Sequence, residues 1–164
     1  MSIAKRLRTL HPDSSLTLIE KGASCGLHAS GRNSGVLHAG FYYSPDSLKA
    51  KCTRAGNALL TADCREKRIP LNRCGKPVVV KYATELPALE ELLKRGKKNG
   101  VKLDELSEQE AKGIEPQVKT YQWALFSPTT STVDPKAVLQ AMTADPQPLS
   151  EQISMNPWTA MAAS

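Results

Sequence analysis

The segment from Ser30 to Tyr43, SGRNSGVLHAGFYY, gathers one arginine, one histidine, two tyrosines, two serines and an asparagine among small residues. Small residues let backbone amides approach an anion or a flat ring closely. Arg32 has the fork geometry to pair with a phosphate, and Asn33 and Ser34 can hydrogen-bond a phosphate or the edge of a ring. His38 is a candidate general base, because an imidazole titrates near neutrality. The same composition describes a glycine-rich turn with a core-facing histidine and packed tyrosines. Composition alone leaves both readings open.

A second chemical signal lies upstream. Ser15 to Glu20, SLTLIE, reads as a buried strand ending on a carboxylate. It follows a segment in which Ile3, Leu7 and Leu10 recur at helical spacing. A helix, a strand and a terminal acid make the second half of a dinucleotide-binding βαβ unit. Its carboxylate accepts hydrogen bonds from a ribose, about 20 residues beyond a Gly-x-Gly-x-x-Gly turn. Counting back from Glu20 sets that turn at or before Met1, and the sequence holds no such turn. The first ten residues are also basic and free of acids, so they fit a basic import signal as well as part of a helix.

These residues need elements to hold them. Glycines at 22, 26, 31, 35 and 40 make the intervening stretch a loop, or a loop that opens a helix. From Ser47 the pattern is helical, with Leu48, Cys52, Ala55, Leu59 and Ala62 on one stripe expected to face the core. Val78-Val79-Val80 predicts a strand within Gly75 to Tyr82. Leu86, Leu89, Leu92 and Leu93 predict a helix closed by a basic, glycine-bearing end through Gly100. A short strand is expected over Val101 to Leu106. Ser107 and Glu110 form a capping box, and Tyr121 to Phe126 is a further strand. Asp134-Pro135 opens a last helix running through Met142, and the Pro/Ser/Met-rich stretch 143–164 is expected to be unstructured. The alternation predicts an α/β fold with α+β character in its second part.

Composition excludes several classes. The 164 residues carry a net charge of +6, but the basic residues are spread rather than gathered in one stripe with aromatics, which argues against a nucleic-acid partner. No apolar run is long enough for a transmembrane segment. The four cysteines at 25, 52, 64 and 74 lack C-x-x-C spacing, so thiols are expected and a metal site is not. Ligation by Cys25, His28, His38 and Cys52 would match no ordinary zinc pattern.

Leu18-Ile-Glu-Lys21, the run from His28 through Arg32-Asn-Ser-Gly-Val-Leu-His-Ala-Gly-Phe-Tyr-Tyr43, and Ser47-Leu-Lys-Ala-Lys51 together resemble the L-2-hydroxyglutarate dehydrogenase family, within the FAD-dependent, D-amino-acid-oxidase-like oxidoreductases. Gly75-Lys76, Asn99-Gly-Val101, Glu115-Pro116 and Ser131-Thr-Val-Asp134 continue the resemblance in order, over residues 3 to 142. It implies oxidation of L-2-hydroxyglutarate to 2-oxoglutarate, with hydride passing to FAD and electrons onward to a quinone-linked acceptor. It implies that Glu20 and Lys21 meet the ribose end of the cofactor. Ser30, Arg32, Asn33, Ser34, Gly35 and Val36 would run beside its pyrophosphate and flavin. His38 would be the catalytic base and Tyr43 a substrate contact.

By the same resemblance, residues 1–74 are part of the FAD-binding domain, a Rossmann-like sheet without its first strand. Residues 75–142 are part of the substrate-binding domain, and 143–164 are a divergent tail. The expectation is a fragment shortened at both ends. The alternative is an inactive α/β fragment, or a truncated product that binds a partner without catalysis. Family members are mitochondrial in eukaryotes and otherwise cytoplasmic or peripheral at the inner membrane.

Overall fold

The computed structural model describes residues 2–17, 19–20, 22, 24–144 and 156–157. The chain gathers into two units, one comprising 1–35 with 134–164 and the other 36–133.

In the 36–133 unit, β2 (Val36–Leu37) leads through a loop to the long helix α2 (Leu48–Glu66). The hydroxyl of Ser47 caps α2 by accepting a hydrogen bond from the Ala50 amide at 3.1 Å. β3 (Leu71–Asn72) and β4 (Lys76–Val78) follow. α3 (Leu86–Lys98) comes next, carrying a proline in its first turn and Arg95, Lys97 and Lys98 in its last. The proline sets φ where a backbone N–H would have no intrahelical partner, and the cations meet the negative end of the helix dipole. β5 (Asp104–Ser107) runs directly into α4 (Glu108–Ile114), where Ser107 and Glu110 form the expected capping box. β6 (Trp123–Ser127) and β7 (Ser131–Val133) complete the unit.

Two antiparallel sheets result, with strand orders β2-β7-β3 and β4-β6-β5. β6 is central in the second, pairing Phe126 with Pro77 on one side and with Asp104 on the other. Leu125 of β6, Leu89 of α3 and Val80 form a buried cluster, and Ala39, Phe41 and Val101 form another. Burying a side chain such as Leu89 or Leu125 contributes about 1.5–3 kcal/mol relative to leaving it exposed.

The other unit contains α1 (Ser2–Leu10), β1 (Ile19–Glu20), a 3-10 turn at Ala29–Gly31, α5 (Pro135–Thr143) and β8 (Asn156–Pro157). The Asp134 carboxylate caps α5, accepting from the Lys136 amide at 2.8 Å. β1 and β8 pair in parallel, Ile19 with Asn156. β8 falls within the stretch 143–164 expected to be unstructured, most of which lies outside the described residues.

Mixed helix and sheet is as expected, and the anticipated strands appear in part. The strand expected over 15–20 is reduced to Ile19–Glu20, with Ser15 and Thr17 exposed, and the valine run contributes only Val78 to β4. β5 and β6 form as anticipated to within three residues at either end, whereas β2, β3, β7 and β8 lie outside the predicted strands. The α2 stripe is a correction. Leu48, Cys52, Ala55, Leu59 and Ala62 are all exposed, Leu48 at 79% and Leu59 at 71%. The helix instead buries Ala50 and Cys64 on its opposite side. Gly40 packs against that side: a Cβ there would lie 3.4 Å from the Ala50 carbonyl oxygen, an ordinary contact, and its φ of +100° is what calls for glycine.

Candidate functional site

In the first unit, β1 delivers Glu20 at its end, and Glu20 Oε1 accepts a hydrogen bond from the Gly22 amide at 3.0 Å. The second carboxylate oxygen carries no hydrogen bond among the described residues. Lys21 lies outside the described residues.

The loop carrying Ser30 to Gly35 is held by its own asparagine. Asn33 Nδ2 donates to the carbonyls of Ala29 at 3.1 Å and Ser30 at 2.9 Å, while its Oδ1 accepts from the Gly35 amide at 2.9 Å. Gly31 is packed so closely that a Cβ would collide with the Gly26 carbonyl oxygen. The amide of Asn33 is therefore committed to shaping the loop. The side chains of Ser30, Arg32 and Ser34 are exposed and make no hydrogen bond or ion pair among the described residues.

This donor set fits a dinucleotide such as FAD. A carboxylate oxygen is available for ribose hydroxyls, and a guanidinium and two hydroxyls are available for phosphate oxygens.

The second unit holds Val36, His38 and Tyr43. Val36 begins β2 and pairs with Thr132. His38 follows β2 with its side chain exposed. Partial burial of this largely exposed ring, and secondarily the charge of Lys76, lower its pKa from the ordinary value of 6.5. The shift favours its neutral form. Lys76 also places its ammonium 4.8 Å from the centre of the Tyr42 ring, and Lys49 places its own 4.6 Å from that of Tyr43.

Three residues to which sequence reasoning assigns no site role, though Asn99 figures in the resemblance, hold the backbone here. Asn57 Nδ2, on α2, lies within hydrogen-bond reach of the carbonyls of Leu37 (3.1 Å), His38 (3.2 Å) and Thr129 (3.1 Å). Asn99 Nδ2 donates to the carbonyls of Gly40 at 3.1 Å and Tyr43 at 2.9 Å, and Asn99 itself is buried. Arg54 Nη1 donates to the Asn99 carbonyl at 2.9 Å. A polar side chain on the small-residue face of α2, and an asparagine closing α3, were the available signals.

The chain matches the family model for FAD dependent oxidoreductases over residues 1–149 and belongs to that family. It is 42% identical to the mitochondrial L-2-hydroxyglutarate dehydrogenase of Nematostella vectensis, over 82% of this chain and 29% of that protein. With the Escherichia coli K12 L-2-hydroxyglutarate dehydrogenase it shares 36% identity, over 87% of this chain and 33% of that protein. With the human mitochondrial protein of that name it also shares 36%, over 88% of this chain and 31% of that one. The chain thus spans about a third of the length of these relatives.

Among solved structures, the FAD-bound L-alpha-glycerophosphate oxidase of Mycoplasma pneumoniae superposes with a TM-score of 0.70 at 26% identity, covering 85% of this chain and 37% of that one. Glycine oxidase from Geobacillus kaustophilus, at a TM-score of 0.67 and 22% identity over 85% of this chain and 39% of that one, shares the fold.

Proposed function

We propose that this chain carries part of the machinery for FAD-dependent oxidation of L-2-hydroxyglutarate to 2-oxoglutarate. The observation that carries the reading is its identity with L-2-hydroxyglutarate dehydrogenases over more than four fifths of its length. Glu20, with Lys21, meets the ribose end of FAD. Ser30, Arg32, Ser34 and the backbone at Gly35 and Val36 run beside its phosphates and ring, on a loop that Asn33 shapes. Residues 1–74 belong to the cofactor side and 75–142 to the substrate side.

Bound FAD supplies the two-electron acceptor for oxidation at the hydroxyl-bearing carbon. The chain's own residues manage the proton and the position of the substrate. His38 takes the hydroxyl proton on its imidazole, whose neutral form burial and Lys76 favour. Tyr43 contacts the substrate, and Asn99 and Asn57 fix the backbone on which Tyr43 and His38 ride. Electrons leave for a quinone-linked acceptor. The mitochondrial names of the animal relatives support a mitochondrial setting if this chain is eukaryotic. Among the described residues, no helix is long and apolar enough to cross a membrane.

The test is the visible absorption of the purified chain after FAD addition and desalting, followed by assay with L-2-hydroxyglutarate. A retained flavin band with turnover supports the reading. His38→Gln should then keep the band and lower turnover by about 10²–10⁴-fold. A variant that loses the band together with turnover would assign His38 to cofactor binding instead.

A further inference from the structure

A groove of about 500 Å³ lies between α2 and the β6–β7 turn, wholly within the 36–133 unit. Its walls carry two guanidinium groups, Arg65 on α2 and Arg73 just after β3, but no carboxylate. Asn57, Thr61, Thr129 and Ser131 line the same groove. Asn57, Thr61 and Arg65 recur every fourth residue, so one face of α2 presents them together.

The charges are uncompensated. Asp63 pairs with Lys67 at 3.1 Å, and Glu66, adjacent to Arg65 in sequence, does not line the groove. Neither Arg65 nor Arg73 has an ion-pair partner among the described residues. The hydroxyls are available as well. Ser127 and Thr130 satisfy each other at 2.9 Å, whereas the Thr61, Thr129 and Ser131 hydroxyls make no hydrogen bond among the described residues.

Two forked cations with several hydroxyl donors and no acid are complementary to a doubly charged oxyanion, and the volume falls in the ordinary range for small-ligand sites, about 300–1,000 Å³.

We propose that this groove is a binding site for a small dianion whose charge is borne on carboxylate or phosphate oxygens, with Arg65 and Arg73 as its two cationic contacts. It is separate from the residues assigned to FAD and to proton transfer. Asn57 joins the two regions, since it lines the groove and reaches the carbonyls of Leu37 and His38.

Isothermal titration of the full chain with glutarate and with inorganic phosphate distinguishes the two sources of charge. Sodium chloride at matched ionic strength is the control. Saturable one-to-one binding of glutarate alone would assign a dicarboxylate, and of phosphate alone a phosphate ligand; either supports the site. Arg65→Gln and Arg73→Gln should each weaken that binding about tenfold or more. Both arginines are exposed, so each variant should keep the parent's circular dichroism and melting curve. Binding of neither dianion above the chloride control would overturn the proposal, and so would unchanged affinity in both variants. Flavin retention is measured separately and does not depend on either result.

Discussion

His38 and Asn99 put opposite demands on their surroundings. In the proposed reaction His38 exchanges a proton, so its environment sets which form it holds. Its folded value is lowered from 6.5, first by burial and then by Lys76. The unfolded chain therefore binds the proton more readily. The stability linked to this group is complete above its ordinary value and is lost as pH falls from there through the lowered one. Lys76→Met removes the repulsion and leaves the burial, so the His38 titration should move upward without becoming that of a free imidazole. Nuclear magnetic resonance of the imidazole carbon-bound protons reads this directly, and a downward movement would contradict the assigned cause. Asn99 has no proton to move. Its buried amide satisfies the carbonyls of Gly40 and Tyr43, which truncation leaves without their partner. Asn99→Ala should cost about 1–3 kcal/mol in urea unfolding, as for other buried polar groups left unpaired.

At the scale of elements, local signals were legible where one or two residues decide the outcome. Ser107 with Glu110, and Asp134 with Pro135, start helices where the sequence places them, because capping is a matter of adjacent atoms. The α3 leucines also behave as their spacing implies, with Leu89 1% exposed. Periodicity misled on α2, where two faces compete. The apolar stripe through Leu48 and Leu59 is the more hydrophobic, but the side bearing Ala50 lets Gly40 approach, and that contact lies far outside any helical window. β2, β3 and β7 run two or three residues each and are too short to show alternation; their register comes from pairing across long stretches of chain. The candidate site divides in the same way. The residues of the Ser30–Tyr43 segment were visible as chemistry, whereas Asn57 and Asn99 act through carbonyls many residues away and resemble ordinary helix polar positions. Paired truncations separate the two faces. Leu89→Ala should cost about 2–5 kcal/mol, while Leu59→Ala should stay within about 0.5 kcal/mol, both by urea unfolding. Equal costs would restore the stripe to the core.

At the scale of the whole molecule, the apolar clusters among the described residues and the proposed cofactor contacts fall in different units. The buried clusters around Phe41 and around Leu89 and Leu125 belong to residues 36–133, as do the antiparallel sheets β2-β7-β3 and β4-β6-β5. Glu20 and the Ser30–Gly35 loop belong to the other unit, which is assembled from 1–35 and 134–164. A unit that holds these clusters should fold by itself, and on the proposed assignment one that lacks Glu20 and the Ser30–Gly35 loop should not retain FAD. The excised chain 36–133 should therefore unfold in urea in one cooperative transition, with a slope on the order of 1 kcal/mol per molar for a domain of this size. It should stay colourless after FAD addition and desalting. A broad, non-cooperative melt would show that residues 1–35 and 134–164 supply packing the buried clusters do not reveal. Retained flavin would move the cofactor contacts away from Glu20 and the Ser30–Gly35 loop and onto the segment around His38 and Tyr43.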